Sequence, residues 1–279
     1  YTEASYVSSE VNLLAPHIMG SGLPLAMASQ TGDVNNEGNY LFVVNNDGTM
    51  GVFITNRAEK VMAWTKFVTD GTISDVAVVE DVVYIFVTRS IGGSTKHFIE
   101  ALDDNHFTDS SVKKSQSSSA TVTGLNHLDG KECRVRANSL ATAGGGKTNT
   151  VMANATPSSG SVTLNRVVTD VEVGINFDVT IKTMPSAINL QSGPVSVKKR
   201  RISKVSAQLH ESSGLKINDK AVPNKNLGVN VLGKPPEVFT GIKTLPILGY
   251  SKTAQVTVTQ TDPLPLTLLG LTVELQVTG

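Results

Sequence analysis

The chain has 279 residues, 39% of them hydrophobic and 17% charged, with 24 Lys and Arg balanced by 24 Asp and Glu. A formal net charge of zero excludes whole-chain attraction to nucleic acid or anionic membrane, which needs a surplus of cations. The single cysteine, Cys133, excludes an intrachain disulfide and a cysteine-built zinc site. The length allows one large or two to three smaller domains. Abundant Ser, Thr, Val, Asn and Gly with sparse charge favour strands and turns over long surface helices. The first residue is Tyr1, not Met, and the chain reads as a fragment or processed product. No signal peptide is visible, and no apolar run reaches the roughly 18 to 20 residues of a spanning helix.

The first informative stretch is the β-rich run 40–45, the turn Asn46-Asp47-Gly48 and the β-rich run 49–55. Asn, Asp and Gly tolerate the positive φ of tight turns, so this predicts a β-hairpin. A third run follows at 61–68, and Asp70-Gly71 turns the chain again. In that run Met62 and Trp64, with Ala63 and Phe67 on the other face, place Trp64 in a core. Residues 73–79, 82–89 and 96–102 read as further strands, the first two joined by Glu80-Asp81. Meanders of short antiparallel strands predict a sandwich, barrel or propeller, and meander after meander fits successive propeller blades. A blade packed on both faces explains why Tyr84, Ile85, Phe86 and Val87 run apolar without alternating.

Residues 109–119 form a polar, Ser-rich connector and the clearest boundary. Beyond it, 121–125, 132–137, 150–153, 161–164 and 171–181 read as strands of a small inserted β-barrel or sandwich, with a second boundary near 184–194. Within 132–137, Cys133 and Val135 share a face, which predicts a buried strand thiol. In the last part Val205, Ala207 and Leu209 alternate with polar neighbours, a half-buried strand. A loop with Pro223, Pro235 and Pro236 follows, and strands at 254–260 and 266–277 close the chain. No stretch has helical periodicity. The expected fold is all-β: propeller-type meanders over 1–110, an inserted β-domain over 111–194, and a return to the main body over 195–279.

The sharpest apparent motif, Ala141-Thr142-Ala143-Gly144-Gly145-Gly146-Lys147-Thr148, satisfies only the loosest form of a phosphate-binding loop. That loop needs a following helix to supply amides and dipole. Here Pro157 and a Ser-Ser-Gly turn follow, so a flexible Gly-rich loop is expected. His17, His97, His106, His127 and His210 show no metal-binding spacing, and no nucleophile elbow exists. No cofactor or metal is expected. Asp103, Asp104 and Asp109 are conceivable general acids but suit turns better. The cluster Lys198, Lys199, Arg200 and Arg201 is the remaining candidate. It reads as a solvated strand start or inter-subunit salt bridging, or as a channel contact with DNA phosphates or anionic envelope lipid.

Several segments in order resemble the tail tubular (nozzle) proteins of short-tailed bacteriophages. They are residues 9–18, which include Ala15-Pro16-His17; 40–45 with Asp47-Gly48-Thr49; and Ala63-Trp64-Thr65 with Asp70-Gly71. Phe98-Ile99-Glu100-Ala101-Leu102-Asp103, Gly124-Leu125-Asn126-His127-Leu128-Asp129-Gly130-Lys131 and Asp262-Pro263-Leu264-Pro265-Leu266-Thr267-Leu268 complete the set. The resemblance implies a virion protein in a homo-oligomeric, hexameric ring around the DNA channel. It further implies an adaptor ring above, tail fibres or spikes as neighbours, transient passage of phage DNA, and contact with the host envelope during infection. It implies β-propeller bodies with inserted β-domains, no catalytic residue, and a family N-terminal part that this chain lacks.

The expected function is therefore a structural nozzle subunit, not an enzyme. The alternative is a binding module for a host-surface glycan or envelope component, with residues 119–184 as the recognition domain. A third expectation is an envelope-degrading enzyme built on distant carboxylates.

Overall fold

The computed structural model describes residues 10–13, 15–20, 22–32, 38–56, 58–138, 150–185, 189–190, 193–194, 199–223, 237–251 and 253–277. The protein is all-β: its described residues form antiparallel sheets, with only two single-turn 3-10 helices, Pro16–Ile18 and Asn126–Leu128. Among these residues no helix is long and apolar enough to cross a membrane. The chain divides into two compact units, Tyr1–Asn105 and His106–Gly279.

The first unit holds two meanders. Strands β1 (Ala26–Gln30), β2 (Asn39–Val44), β3 (Met50–Asn56) and β4 (Val61–Phe67) form one sheet in chain order. Strands β5 (Thr72–Val79), β6 (Val82–Ile91) and β7 (Ser94–Ala101) form the second. The β2–β3 hairpin is the one expected from Asn46-Asp47-Gly48. Gly48 has φ +80, and a Cβ there would lie 2.6 Å from Thr72 Cγ2, so only glycine fits. The Glu80-Asp81 turn places both residues at positive φ, as a two-residue hairpin needs. Phe42, Val44 and Met50 of the first sheet meet Ile73, Val76, Val83, Ile85 and Val87 of the second in one core. Each of these fully buried side chains contributes ~1.5–3 kcal/mol of transfer free energy.

Two expectations for this unit need correction. Tyr84 to Val87 do alternate: Ile85 and Val87 are buried, but Phe86 is 39% exposed. One face of the β5–β7 sheet is therefore open. Strand β4 is an edge whose Val61 and Met62 face solvent, so Trp64 is only half-buried. Its ring lies 4.9 Å from Phe53, and its Nε1 donates to the Val11 carbonyl at 3.0 Å.

The second unit opens with β8 (Asp109–Thr123), β9 (Cys133–Ala137), β10 (Thr150–Val151) and β11 (Ser161–Ile175), in sheet order β10-β9-β11-β8. The Ser-rich stretch expected to be a connector is instead strand β8. Its partner β11 offers fifteen residues of backbone, and pairing satisfies both sets of amides despite low strand propensity in β8. Strand β11 in turn runs unbroken through the two shorter strands expected, bending at bulges between Thr163 and Val168 and between Val168 and Asp170. Cys133, Val135, Val171 and Val173 lie in the core of this sheet, as the Cys133 and Val135 alternation predicts.

The strand expected over 171–181 breaks at Asn176. Residues Val179–Lys182 form β12, which joins a different sheet. Strands β13 (Asn189–Leu190) and β14 (Gly193–Pro194) pair with each other. The closing part comprises β15 (Arg200–Ser212), β16 (Lys216–Ile217), β17 (Lys220–Ala221), β18 (Phe239–Pro246), β19 (Tyr250–Ser251), β20 (Thr257–Gln260) and β21 (Thr267–Val277). One sheet has the order β12-β20-β16-β17, and in the other β15 lies between β18 with β19 and β21. Val205, Ala207 and Leu209 meet Leu215, Ile217, Val256 and Val258 in a common core. The short hairpin β16–β17, turned at Asn218-Asp219, and strand β18 have no counterpart in the sequence reading. Among the described residues neither a closed barrel nor a ring of blades is formed. Residues 141–148, which carry the apparent phosphate loop, lie outside the described residues, as do Pro235 and Pro236.

Candidate functional site

The basic cluster does not form one surface patch. Lys198 lies outside the described residues. Lys199 precedes β15 and is exposed. Arg200 is only 3% exposed, so a solvated strand start does not describe it. Arg201 points the other way from the same strand, its guanidinium 5.9 Å from the centroid of the Tyr250 ring. Strand alternation separates the two arginines. A bulge between Ile202 and Lys204 then shifts the phase, so that Arg200 and Ile202 turn inward with Val205.

Inward-facing Arg200 brings a site into view. A cavity of about 320 Å³ is lined by Lys182, Arg200, Asn218, Tyr250, Thr253 and Gln255, over an apolar floor of Ile202, Ile247 and Ala254. Each polar residue is fixed by its element. Lys182 ends β12, and Asn218 sits at φ +45 in the β16–β17 turn, where its Oδ1 accepts from Thr257 N at 2.8 Å. Gln255 Nε2 donates to the Thr183 carbonyl at 2.9 Å. Tyr250 is 57% exposed and Leu248 is 74% exposed at the rim. Among the described residues the lining contains two cations and no carboxylate. Of these residues only Arg200 was marked by the sequence, because the rest come from turns and short strands far apart in the chain.

None of the other sequence candidates lines this cavity. Asp103 accepts from Asn105 N at 2.8 Å and from Asn105 Nδ2 at 3.0 Å, closing an exposed turn, and Asp104 is exposed beside it. Asp109 Oδ1 accepts from Ser110 N at 2.9 Å. His17 and His210 are exposed, and His97 meets Thr88 across the β6–β7 pair. His106 meets Ser111, and His127 Nε2 donates to the Ser110 carbonyl at 3.1 Å, which pins the start of β8. Among the described residues no group of three or more His, Cys, Asp or Glu is placed to hold a metal ion.

Two buried ionic nodes, Arg89 with Glu100 and Arg136 with Glu172, were not visible in the sequence. Glu172, 1% exposed, accepts from Phe107 N at 2.6 Å, Thr108 N at 3.0 Å and Thr108 Oγ1 at 3.1 Å. Arg136 Nη1 reaches its other oxygen at 3.5 Å and stacks 4.2 Å over the Phe107 ring. Burial pulls the Arg136 guanidinium below its ordinary pKa, and Glu172 opposes that pull. A carboxylate so fully supplied with donors anchors the backbone at Phe107 and Thr108.

No family model matches the chain. No curated protein matches it either. Among solved structures it is similar to two crystal structures of an exo-β-1,3-galactanase from Phanerochaete chrysosporium, one with β-1,3-galactotriose and one with galactose. Identity is 10% and 12%, the TM-score is 0.21 in both, and 89% of this chain is covered. The chain spans 56% of those chains, little more than half their length. At that TM-score the likeness carries no argument about fold or activity.

Proposed function

We propose that this chain is a structural component of a bacteriophage tail tube, or nozzle, in which several copies form a ring through which DNA leaves the particle. The observation that carries the reading is the stacking of two consecutive meanders over one core, with the outer face of the second left open. On that face Val79, Phe86 and Ile99 are 56%, 39% and 65% exposed, an apolar strip suited to another sheet. We read the two meanders as consecutive propeller-type blades, in keeping with the ordered resemblance to nozzle proteins.

The buried ion pairs support the same reading. They tie strands together instead of presenting reactive groups, and ordered antiparallel sheets supply the rigidity a conduit needs. A neutral chain also suits a passage, because every tight phosphate contact would slow sliding DNA. Adaptor ring, fibres or spikes and host envelope are the neighbours this reading implies. The test is a low-resolution image of an assembled particle in which antibody to this chain marks its place. Label on the tail supports the proposal, and label on the capsid shell alone overturns it.

A further inference from the structure

We infer that the strap of residues 10–19 exchanges between copies, so that the strap of one subunit lies over Gly51 and Trp64 of another. Exchange deepens the ring reading and rests on copies meeting as that reading requires.

The seat is shaped for this segment. Gly51 and Phe53 of β3 face away from the core that takes Met50, and Trp64 lies against Phe53 on that outer face. A Cβ at Gly51 would stand 3.3 Å from Ile18 Cγ2, 3.4 Å from Trp64 Cζ3 and 3.7 Å from Met19 Sδ. The missing side chain thus leaves the hollow in which Ile18 is buried. Two donors of the sheet then hold the strap by its backbone: Trp64 Nε1 to the Val11 carbonyl at 3.0 Å, and Asn45 Nδ2 to the Ile18 carbonyl at 2.9 Å. A second copy offers the same isoleucine and the same two carbonyls, so every one of these contacts can be remade between subunits.

The strap is lightly held and hinged. Among the described residues Ile18 is its one buried side chain, whereas Val11, Leu13 and His17 are exposed. Among those residues it also joins no sheet, so its release breaks no strand pairing. Its own turn travels with it, through Ala15 N to the Asn12 carbonyl and Ile18 N to the Ala15 carbonyl. Gly20 at φ +64 and Gly22 at φ +129 link it to β1, in backbone conformations that glycine adopts without strain. Glycines on both sides of Ser21 let the chain leave in a new direction at little cost. Ten residues extend at most about 33–36 Å, enough to cross to an adjoining subunit.

Trp64 is the chain's single tryptophan and reads the seat directly. The test mixes two batches of the full chain: wild type, and Trp64→Phe carrying a nitroxide on Leu13→Cys. A nitroxide quenches indole fluorescence only at close range, so wild-type Trp64 dims only when another copy's strap reaches it. Saturable quenching is expected as labelled copies are added. Ile18→Asp in the labelled copy sets a charge in the hollow and should weaken that quenching at least about tenfold. Quenching no greater than that from the same label on Thr272→Cys, an exposed site on β21, overturns the exchange. Quenching that survives Ile18→Asp overturns the Gly51 seat. Annular particles without quenching refute the exchange alone, and quenching without annular particles refutes the ring alone.

Discussion

Arg89 holds Glu100 in a two-pronged pair: Nε donates to Oε1 at 3.0 Å and Nη2 to Oε2 at 2.6 Å. The third arm, Nη1, donates to the Asp70 carbonyl, so one side chain fixes β6, β7 and the chain entering β5. The arginine side chain is fully buried and that of Glu100 is 15% exposed. Removing one member leaves the other charge in a poorly hydrated site, which costs about 3–5 kcal/mol. Arg89→Ala is therefore expected to lower the unfolding free energy of the first unit, read from its urea transition, by that much. Replacing both residues by apolar ones of similar size is expected to recover most of the loss. Equal stability of wild type and Arg89→Ala in denaturant titration contradicts this account.

Cys133 supplies a pH signature. Burial, helped by nearby Glu132, pushes its thiol up to about 11 from an ordinary value of 9.0. The folded state holds the proton more tightly than the unfolded state does. The contribution to stability is thus complete below about pH 9 and is lost as pH rises toward 11, on the order of 2–3 kcal/mol. Urea midpoints measured between pH 8 and 11 should fall for wild type and fall less for Cys133→Val. A disulfide-exchange reagent at pH 8 should modify the thiol only at the rate of unfolding. Fast modification of the native protein would show that Cys133 is accessible.

The start of β8 is held close to β11 at Gly174. A Cβ there would lie 2.4 Å from Thr108 Oγ1 and 2.6 Å from the Asp109 carbonyl. Gly174→Ala should therefore cost about 1–3 kcal/mol through overpacking and a forced backbone shift. Hydrogen exchange should quicken at 109–115 and in the facing part of β11. If the variant matches wild type in both measurements, residues 109–123 are not the paired strand described above.

What the sequence showed clearly was local. Asn46-Asp47-Gly48 and Glu80-Asp81 announce their hairpins because positive φ restricts the residue types. The alternation around Cys133 and around Val205 finds the inward faces. The Ser-rich strand β8 was hidden because its partner is about 50 residues away and its polar composition lacks the usual strand signal. Phe86 was misread because four apolar residues in a row cannot say which face finds a partner. At the basic cluster, alternation continued back from Val205 would turn Arg201 inward. The bulge between Ile202 and Lys204 reverses that parity and puts Arg200 in the cavity wall. The rest of the cavity comes from turns and short strands far apart in the chain, and their meeting is a property of the folded closing sheets.

The open β5–β7 face gives the assembly claim its own variant. Ile99 is 65% exposed and lies opposite Phe86 in the β6–β7 register. Ile99→Asp should leave the monomer's unfolding free energy within about 0.5 kcal/mol, as an exposed substitution does. The same change should reduce self-association of the protein about tenfold or more, since it sets a charge in an apolar contact. Sedimentation velocity against concentration checks both species, and unchanged association would remove this face from the ring contact.

The central claim, that copies of this chain build a ring, is tested most directly by the particle mass and electron-microscope image of the purified full-length protein. The account predicts a discrete multiple of the subunit mass and annular particles with an open centre. A single-subunit mass at high concentration, with no annular particles in the images, would contradict it.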